Sequence, residues 1–420
     1  MNRLILSLSL LFLSLGLFAQ DEIITVAGKV FDNATNAPMK FVSVGLEGTS
    51  IANITNSEGV FSLKVPASSL DGGVIFCSHL GYLESKTPVQ KFKGYSVDKP
   101  LVILMTPVSF RIDAAVVNAS EAESLILTAY DNVKHNYSRE HQGMTAFYRE
   151  LVKKGETKYI SLNEAVLDID KAPYNGFAPD RAGIYKGRGT INYDTSDTLV
   201  IKYQGGVSAS FMIDLVKNPF AGVSPMDMFK MYDFRLEESV IQDNKTFYCV
   251  SFDQKEDIKE ALYHGKVYID ADTYAIGRVE FELNVYKDPT VVNVYVVKHS
   301  PKTLFEVERV AYTVNYKEQD GLWFYDYSHI ELIFNARHKY SPFRHKYSVV
   351  SEMAITDHRP GQIEIQNESK LKIRDQLSEK VSAFTDEDFW ENYNVIEPDT
   401  NIDAIVRKIV RQLNRRSATR

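Results

Sequence analysis

The sequence has 420 residues, of which 44% are hydrophobic and 25% charged, a composition typical of a folded globular protein and not of a disordered chain. This length is sufficient for two domains. The net charge of -7 argues against a nucleic-acid-binding protein, which normally carries a basic excess. The 24 Tyr and 23 Phe, together with abundant Val and Ile, favour β-sheets.

The first residues have the pattern of a secretory signal peptide, which we predict to span residues 1–19. Arg3 provides the positive start, residues 4–18 form an apolar run, and Ala19 occupies a suitable cleavage position. The alternative is a retained membrane anchor, but the run is shorter than the roughly 20 residues that cross a bilayer. We therefore expect an exported protein, periplasmic or associated with the outer membrane, without a transmembrane span.

Residues 23–106 contain short apolar strands separated by turns every 8–12 residues, which predicts a small β-sandwich. The stretch "ITNSEGVFSL" could be either a cation-binding loop or a β-hairpin. The hairpin is favoured because Asn56 and Gly59 are turn residues, and Lys64 stands where a cation loop needs a carboxylate. The alternation that follows directs three side chains to the sandwich core: Phe61, Leu63 and Val65.

Three segments of this region, "VAGKVFDNATNAPMKFVSVGLEGT", "ANITNSEGVFSL" and "VIFCSHLGY", resemble the carboxypeptidase-like regulatory domain. The resemblance implies a transthyretin-like β-sandwich and no activity of its own. The positions that carry this fold signature are Gly28, Thr55, Gly59, Phe61, Gly81 and Tyr82.

Residues 107–143 are predicted to be a linker with one amphipathic helix. Apolar residues recur there at helical spacing from about residue 121 to residue 136, so that one face of the helix can pack on the next domain. The residues on that face are Ala122, Leu125, Ile126, Ala129, Tyr130 and Val133.

Residues 144–360 are predicted to form a larger antiparallel β-sheet domain, curved and half-barrel-like, with flanking helices. Strand-like segments dominate, and helical spacing is confined mainly to "SASFMIDLVKN" and "PMDMFKM". The hairpin "GKVYIDADTYAIGRVEFEL" resembles the curved sheets of lipoprotein carriers. The second half as a whole is similar to a group of uncharacterised exported bacterial proteins, which implies no activity.

Residues 361–420 are predicted to be a C-terminal helical tail. Apolar residues between 402 and 413 form one stripe, and basic residues crowd the other side of this helix. Two alternatives remain open, a helix docked on the protein and a helix on a membrane surface.

The sequence contains none of the motifs that would indicate a hydrolase. The zinc-carboxypeptidase pair H-x-x-E is absent, and so are H-E-x-x-H and G-x-S-x-G. His135, Glu140 and His141 lie close together but lack the spacing of a zinc site. We therefore predict no catalytic residue, no metal site and no cofactor.

Two segments are candidates for binding. The repeated His-Lys-Tyr of "ARHKYSPFRHKY", at His338 and His345, indicates a basic loop between strands that could meet an anionic partner. The candidates for a ligand cleft in the large domain are Gln204, Gly205, Gly206 and Phe211, the alternative being that this side of the sheet is plain core.

The sequence thus predicts a non-catalytic binding or assembly module of the bacterial cell envelope. One alternative is a periplasmic carrier or sensor of an apolar, lipid-like ligand, and another is an envelope hydrolase with an unrecognised carboxylate site. The partner is expected to be an envelope protein or a lipid-like ligand.

Overall fold

The computed structural model describes most of the chain. The described residues are 22–69, 72–89, 99–108, 119–155, 158–191, 202–203, 206–221, 223–224, 227–242, 244–286, 296–298, 302–373, 375–384 and 393–399. The predicted signal peptide and the predicted helix at 402–413 lie outside them.

The N-terminal part forms two small sheets packed against each other. Its strands are β1 (Ile23–Asp32), β2 (Ser43–Leu46), β3 (Ala52–Ile54), β4 (Val60–Pro66), β5 (Val74–Ser78), β6 (Ser85–Pro88) and β7 (Leu101–Met105). One sheet has the order β4-β1-β7, with β1 and β7 parallel, and the other has the order β3-β2-β5-β6. Buried side chains from both sheets, including those of Val30, Val44 and Phe61, share one core. We call this part the sandwich.

The turn predicted for "ITNSEGVFSL" is confirmed, but the predicted pairing of the two strands beside it is wrong. Asn56 Oδ1 accepts hydrogen bonds from the N–H groups of Glu58 at 3.0 Å and Val60 at 2.9 Å, and Gly59 has a φ of 74°. However, β3 pairs with β2 while β4 pairs with β1, so the turn connects the two sheets. The alternating side chains after the turn are fully buried as predicted: Phe61, Leu63 and Val65.

The rest of the chain is dominated by one eleven-stranded sheet in which every pairing is antiparallel. Its strands are β8 (Gln142–Lys154), β9 (Lys158–Lys171), β10 (Arg181–Ile191), β12 (Tyr232–Leu236), β13 (Val240–Gln242), β14 (Lys245–Gln254), β15 (Tyr263–Asp270), β16 (Ile276–Leu283), β18 (Thr303–Gln319), β19 (Leu322–His338) and β20 (His345–Pro360). The order is β10-β9-β8-β20-β19-β18-β16-β15-β14-β12, with β13 attached to β14. Two short strands, β11 (Lys202–Tyr203) and β17 (Val296–Lys298), pair separately. The predicted mainly β architecture is confirmed.

The helices are few and short, apart from the predicted one in the linker. They are α1 (Ala119–Asn136), α2 (Gly206–Met212), α3 (Met228–Met231) and α4 (Leu377–Lys380), with 3₁₀ turns at Ala67–Ser69, Pro219–Ala221 and Val381–Phe384. No helix among the described residues is both long and apolar enough to cross a bilayer.

One face of the large sheet is covered by α1, α2 and the chain that follows α2. Ala122, Ile126 and Ala129 of α1 are buried there against the sheet. Phe220 lies among aromatic rings of the sheet, 5.1 Å from Tyr232 and 5.0 Å from Phe252 between ring centroids. This face is therefore packed as core, the alternative that the sequence left open.

The other face of the large sheet carries the sandwich. Successive residues of β8 alternate between the faces, so that Tyr148 belongs to the first core while Phe147 packs beside Ile54 of the sandwich. Ile396 joins this second cluster, which places the segment 393–399 between the sandwich and the sheet.

Candidate ligand cleft between the sandwich and the large sheet

The sandwich is attached to the large sheet through the predicted signature segment "SHLGY". The N–H of Gly81 donates to the carbonyl of Ile241 at 2.8 Å, and Tyr82 forms a bridge with Gln242. Gly81 adopts a φ of 81°, a backbone conformation that favours glycine. The Nε2 of Gln242 also donates to Ser78 Oγ at 3.2 Å. Short strand β13 is thus the docking edge for the sandwich.

A cleft of about 130 Å³ opens beside this docking edge, between the two parts of the chain. Pockets form preferentially at such boundaries. Aromatic rings from both sides provide its apolar walls: Phe41 and Phe76 from the sandwich, and Phe247 and Trp323 from the large sheet.

A β-bulge places a carboxylate in this cleft. Asn315 pairs with Tyr327 and Tyr316 with Tyr325, so Asp326 is the extra residue of β19. A bulge changes the direction of its side chain, and here Asp326 lines the cleft. Burial raises the pKa of Asp326 above its usual value, while the positive charge of Lys317 acts in the opposite direction.

Three cations line the same cleft, each close to an aromatic ring or a carboxylate. The Nζ of Lys317 lies 4.5 Å from the centre of the Phe76 ring. Lys245 forms an ion pair with Glu318. The Nε of Arg278 donates to Glu280 Oε1 at 2.8 Å. Cations and carboxylates are therefore interspersed around an aromatic wall.

His79 contributes a neutral side chain to the cleft. Burial and the nearby positive charge of Arg278 lower the pKa of His79 to about 4. Its Nδ1 lies 3.0 Å from the carbonyl oxygen of Leu80, and its ring meets that of Tyr82 edge-on. At neutral pH the imidazole is therefore uncharged and donates to this carbonyl.

One polar atom of the cleft is left without a hydrogen bond. The Oδ1 of Asn315 is buried and has no partner. A buried acceptor without a donor is uncommon in folded proteins because it has lost its hydrogen bonds to water. A ligand with a donor group at this point would satisfy it. No sequence motif marks Asn315 or Asp326, which lie in strands of ordinary composition.

The cleft candidates predicted from the sequence lie elsewhere. Gln204 and Gly205 lie outside the described residues. Gly206 begins α2, and Phe211 is half-buried on the covered face of the sheet, 6.0 Å from Lys171 Nζ. Neither Gly206 nor Phe211 lines the cleft beside the docking edge.

Under α2 lies a buried group of charges that holds this segment to the sheet. Lys171 Nζ contacts Asp180 at 2.7 Å and Asp214 at 2.6 Å, and Lys217 Nζ contacts Asp180 at 2.5 Å. Asp214 also accepts from two hydroxyls, Tyr174 at 3.1 Å and Tyr316 at 2.7 Å. Burial acts to lower the pKa of Lys171, but Asp214 and Asp180 hold it above its usual value. Lys171 is therefore a protonated structural cation and not an amine nucleophile.

His135 and His141, which lie close together in the sequence, have different surroundings in the structure. His141 Nδ1 lies 2.9 Å from Asp170 Oδ1, while His135 is exposed near the end of α1. Among the described residues, no group of three or more His, Cys, Asp or Glu could hold a metal ion. Cys77 and Cys249 are buried free thiols.

The remaining fold-signature residues have structural roles. A Cβ on Gly28 would lie 2.5 Å from the Phe61 ring, and one on Gly59 would lie 2.5 Å from the carbonyl of Val30. Thr55 Oγ1 donates to the Met39 carbonyl at 2.7 Å. The hydroxyl of Tyr82 donates to Asp32 Oδ2 at 2.6 Å. These contacts close the sandwich and fix the segment that docks.

Comparisons with known proteins found no matching protein-family model and no matching curated protein. Among solved structures, a domain described as an outer membrane lipoprotein-sorting protein from Vibrio parahaemolyticus is 12% identical with a TM-score of 0.23, covering 60% of this chain and 96% of that one. A DUF1329 family protein from Desulfovibrio piger is 11% identical with a TM-score of 0.25, covering 58% and 92%. MucB is 14% identical with a TM-score of 0.20, covering 57% and 98%.

A lipoprotein-sorting domain is thus among the structures to which the chain is similar. The resemblance of residues 23–106 to the carboxypeptidase-like regulatory domain is not confirmed. Similarities with TM-scores of 0.20 to 0.25 assign neither a family nor a function.

Proposed function

We propose that the protein is a non-catalytic binding module of the bacterial cell envelope, exported and acting in the periplasm or at the outer membrane. Its ligand occupies the cleft between the sandwich and the large sheet. The ligand is a small polar molecule with several hydroxyl or amide groups and one apolar face, as in a sugar unit. The observation that carries this proposal is the buried, unpaired Oδ1 of Asn315 within the cleft.

The mixture of groups around the cleft supports a ligand that both donates and accepts hydrogen bonds. Asn315 and Asp326 offer acceptor oxygens, and Lys317 and Arg278 offer donors. The aromatic wall formed by Phe76 and its neighbours suits the flat apolar face of such a ligand. The volume of about 130 Å³ corresponds to about four water molecules at liquid density, so the cleft suits one small ligand or one ring of a ligand and not a long chain.

Two other ligand classes fit this cleft less well. A purely apolar chain would leave Asn315 Oδ1 buried without a hydrogen bond. An anionic ligand would meet the carboxylates of Asp326 and Glu318. The carrier of a lipid-like ligand therefore ranks second.

The test is binding of N-acetylglucosamine and of octanoate, measured by saturation-transfer NMR on the native protein. We expect transfer to N-acetylglucosamine and none to octanoate. The variant Asn315→Leu should abolish this transfer without lowering stability, because it removes an unpaired buried acceptor.

The matched control is Asn335→Leu, since Asn335 lies on the surface of β19 and donates to Glu308. It should bind N-acetylglucosamine like the native protein. Octanoate binding alone, or undiminished sugar binding by Asn315→Leu, would contradict the proposal.

A further inference from the structure

Cationic side chains predominate at one end of the large sheet. Five adjacent strands, in the order β9-β8-β20-β19-β18, end or begin there. Their register brings eight Lys and Arg residues to this end: Lys153, Lys154, Lys158, Lys302, Arg337, Lys339, Arg344 and Lys346. We call this end the basic tip.

Ion pairs offset part of this charge. Glu306 lies 2.9 Å from Arg344, and Glu308 lies 2.7 Å from Lys346. The chain as a whole has a net charge of -7, so the remainder of the molecule is strongly acidic. A charge separation of this kind orients a protein towards an anionic surface with one end first.

The same end exposes two aromatic side chains. Tyr340 is 75% exposed and Phe343 72% exposed, and both belong to the turn between β19 and β20. Leu304 beside them is 42% exposed. Aromatic residues next to cations are the composition of membrane-interface segments, in which rings enter the headgroup region and cations contact phosphates.

Backbone hydrogen bonds hold the turn that carries these rings. The N–H of Ser341 donates to the His338 carbonyl at 2.9 Å, and the N–H of Phe343 donates to Ser341 Oγ at 3.2 Å. The N–H of Lys339 donates to the Lys302 carbonyl at 2.6 Å, which ties the turn to β18. The backbone that carries both rings is therefore held at the end of the sheet.

We propose that the basic tip docks on an anionic lipid surface, with Tyr340 and Phe343 inserted among the headgroups. A soluble anion would account for the cations but not for the exposed rings. Five strands at a spacing of about 4.8 Å span about 19 Å, which is enough to contact several lipid headgroups at once. This docking is independent of the ligand in the cleft, which lies towards the other end of β18 and β19.

The test is sedimentation with vesicles of phosphatidylcholine alone and with vesicles of equal parts phosphatidylcholine and phosphatidylglycerol. The protein from residue 20 onward is used, because it contains every described residue and lacks the predicted signal peptide. We expect binding to the anionic vesicles only, decreasing as salt is added.

Two variants at exposed phenylalanines test whether the basic tip is the part of the protein that binds the vesicles. Phe343→Ser should weaken partitioning at least tenfold. Phe177→Ser is the control, because Phe177 is fully exposed in the turn at the opposite end of β9. It should bind like the native protein, and both variants should retain the native circular dichroism spectrum.

Three outcomes would overturn this inference. The first is equal binding of both vesicle types. The second is no binding of either type, which would leave an acidic protein as the partner that fits the tip. The third is binding that survives Phe343→Ser but is lost when residues 400–420 are removed, since the predicted basic helix would then be the membrane contact.

Discussion

Lys171 is buried, with only 2% of its surface exposed. The carboxylates of Asp180 and Asp214 compensate its positive charge. Asp214 lies in the segment after α2, whereas Lys171 ends β9, so the ion pair joins two parts of the chain 43 residues apart. An ion pair of this kind is costly to bury but much more costly to break, because the remaining charges cannot be solvated.

We therefore expect Lys171→Met to lower the free energy of unfolding by about 3–5 kcal/mol. The loss follows from leaving Asp180 and Asp214 with less compensation in a buried site. Guanidinium unfolding followed by circular dichroism measures it. Lys230→Met is the control, because Lys230 is exposed and pairs with Asp227 on the surface, so the unfolding midpoint of this variant should not move. Equal midpoints for both variants would contradict the structural role of Lys171.

For single residues, the sequence predicted the turn positions but did not predict which residues line the cleft. Asn56 and Gly59 could be predicted because their conformations depend on nearby backbone groups. Asn315 and Asp326 could not, because each is defined by a strand pairing and by a domain contact that local pattern does not contain. The bulge at Asp326 depends on the register of β18 with β19.

Among the elements, the segment 393–399 links the two parts of the molecule. Asn53 Nδ2 donates to the Val395 carbonyl at 2.9 Å, and Asn394 exchanges hydrogen bonds of 2.7 and 3.1 Å with the backbone of Lys64. On the opposite side, Arg149 Nη2 donates to the Ile396 carbonyl at 2.7 Å. The sandwich and the large sheet thus bind the same short stretch of backbone.

We expect Ile396→Ala to destabilise the protein by about 2–4 kcal/mol, because its side chain is buried between Ile54 and Phe147. Ile373→Ala is the matched control, since Ile373 is 71% exposed and its loss should change stability by less than about 0.5 kcal/mol. Chemical denaturation of both variants gives the comparison. If Ile396→Ala unfolds at the same denaturant concentration as Ile373→Ala, the segment does not tie the two parts together.

Sequence patterns predicted many of the helices and strands, but they did not predict which distant strands pair with each other. The linker helix and the hairpin of β15 and β16 appeared where local periodicity placed them. The pairing of β8 with β20 joins strands about 200 residues apart, and the order of the sheet depends on it. No local pattern encodes such a pairing, because it is decided by which hydrophobic face remains to be covered once the hairpins have formed.

At the scale of the whole molecule, the contact by which the sandwich docks on the large sheet contains a titratable group, His79. His79 stands beside Arg278 at the edge of the cleft, close to the hydrogen bond from Gly81 to Ile241. Its pKa is lowered to about 4 by burial and by Arg278, with the Leu80 carbonyl and Glu280 acting in the opposite direction. The docked state thus disfavours protonation of His79 relative to an undocked state in which the imidazole is in water.

The sign of the pH dependence follows from this lowered pKa. An undocked His79 takes up a proton below about pH 6.5, while the docked one does so only near pH 4. The contribution of neutral His79 to docking is therefore complete above about pH 6.5 and is lost as the pH falls from there towards 4. With a shift of this size the loss amounts to about 2–3 kcal/mol.

We expect the sandwich to separate from the large sheet more readily as the pH falls through this range, and Trp323 to report it. Trp323 is buried in the cleft, so its fluorescence should shift to longer wavelength when the cleft opens to water. In a Trp390→Phe background, which leaves a single tryptophan, the denaturant midpoint of this shift should decrease between pH 6.5 and 4. His79→Gln should flatten that decrease because glutamine does not titrate, whereas His338→Gln, at an exposed position, should leave it unchanged. Parallel curves for the native protein and His79→Gln would show that another group controls the docking.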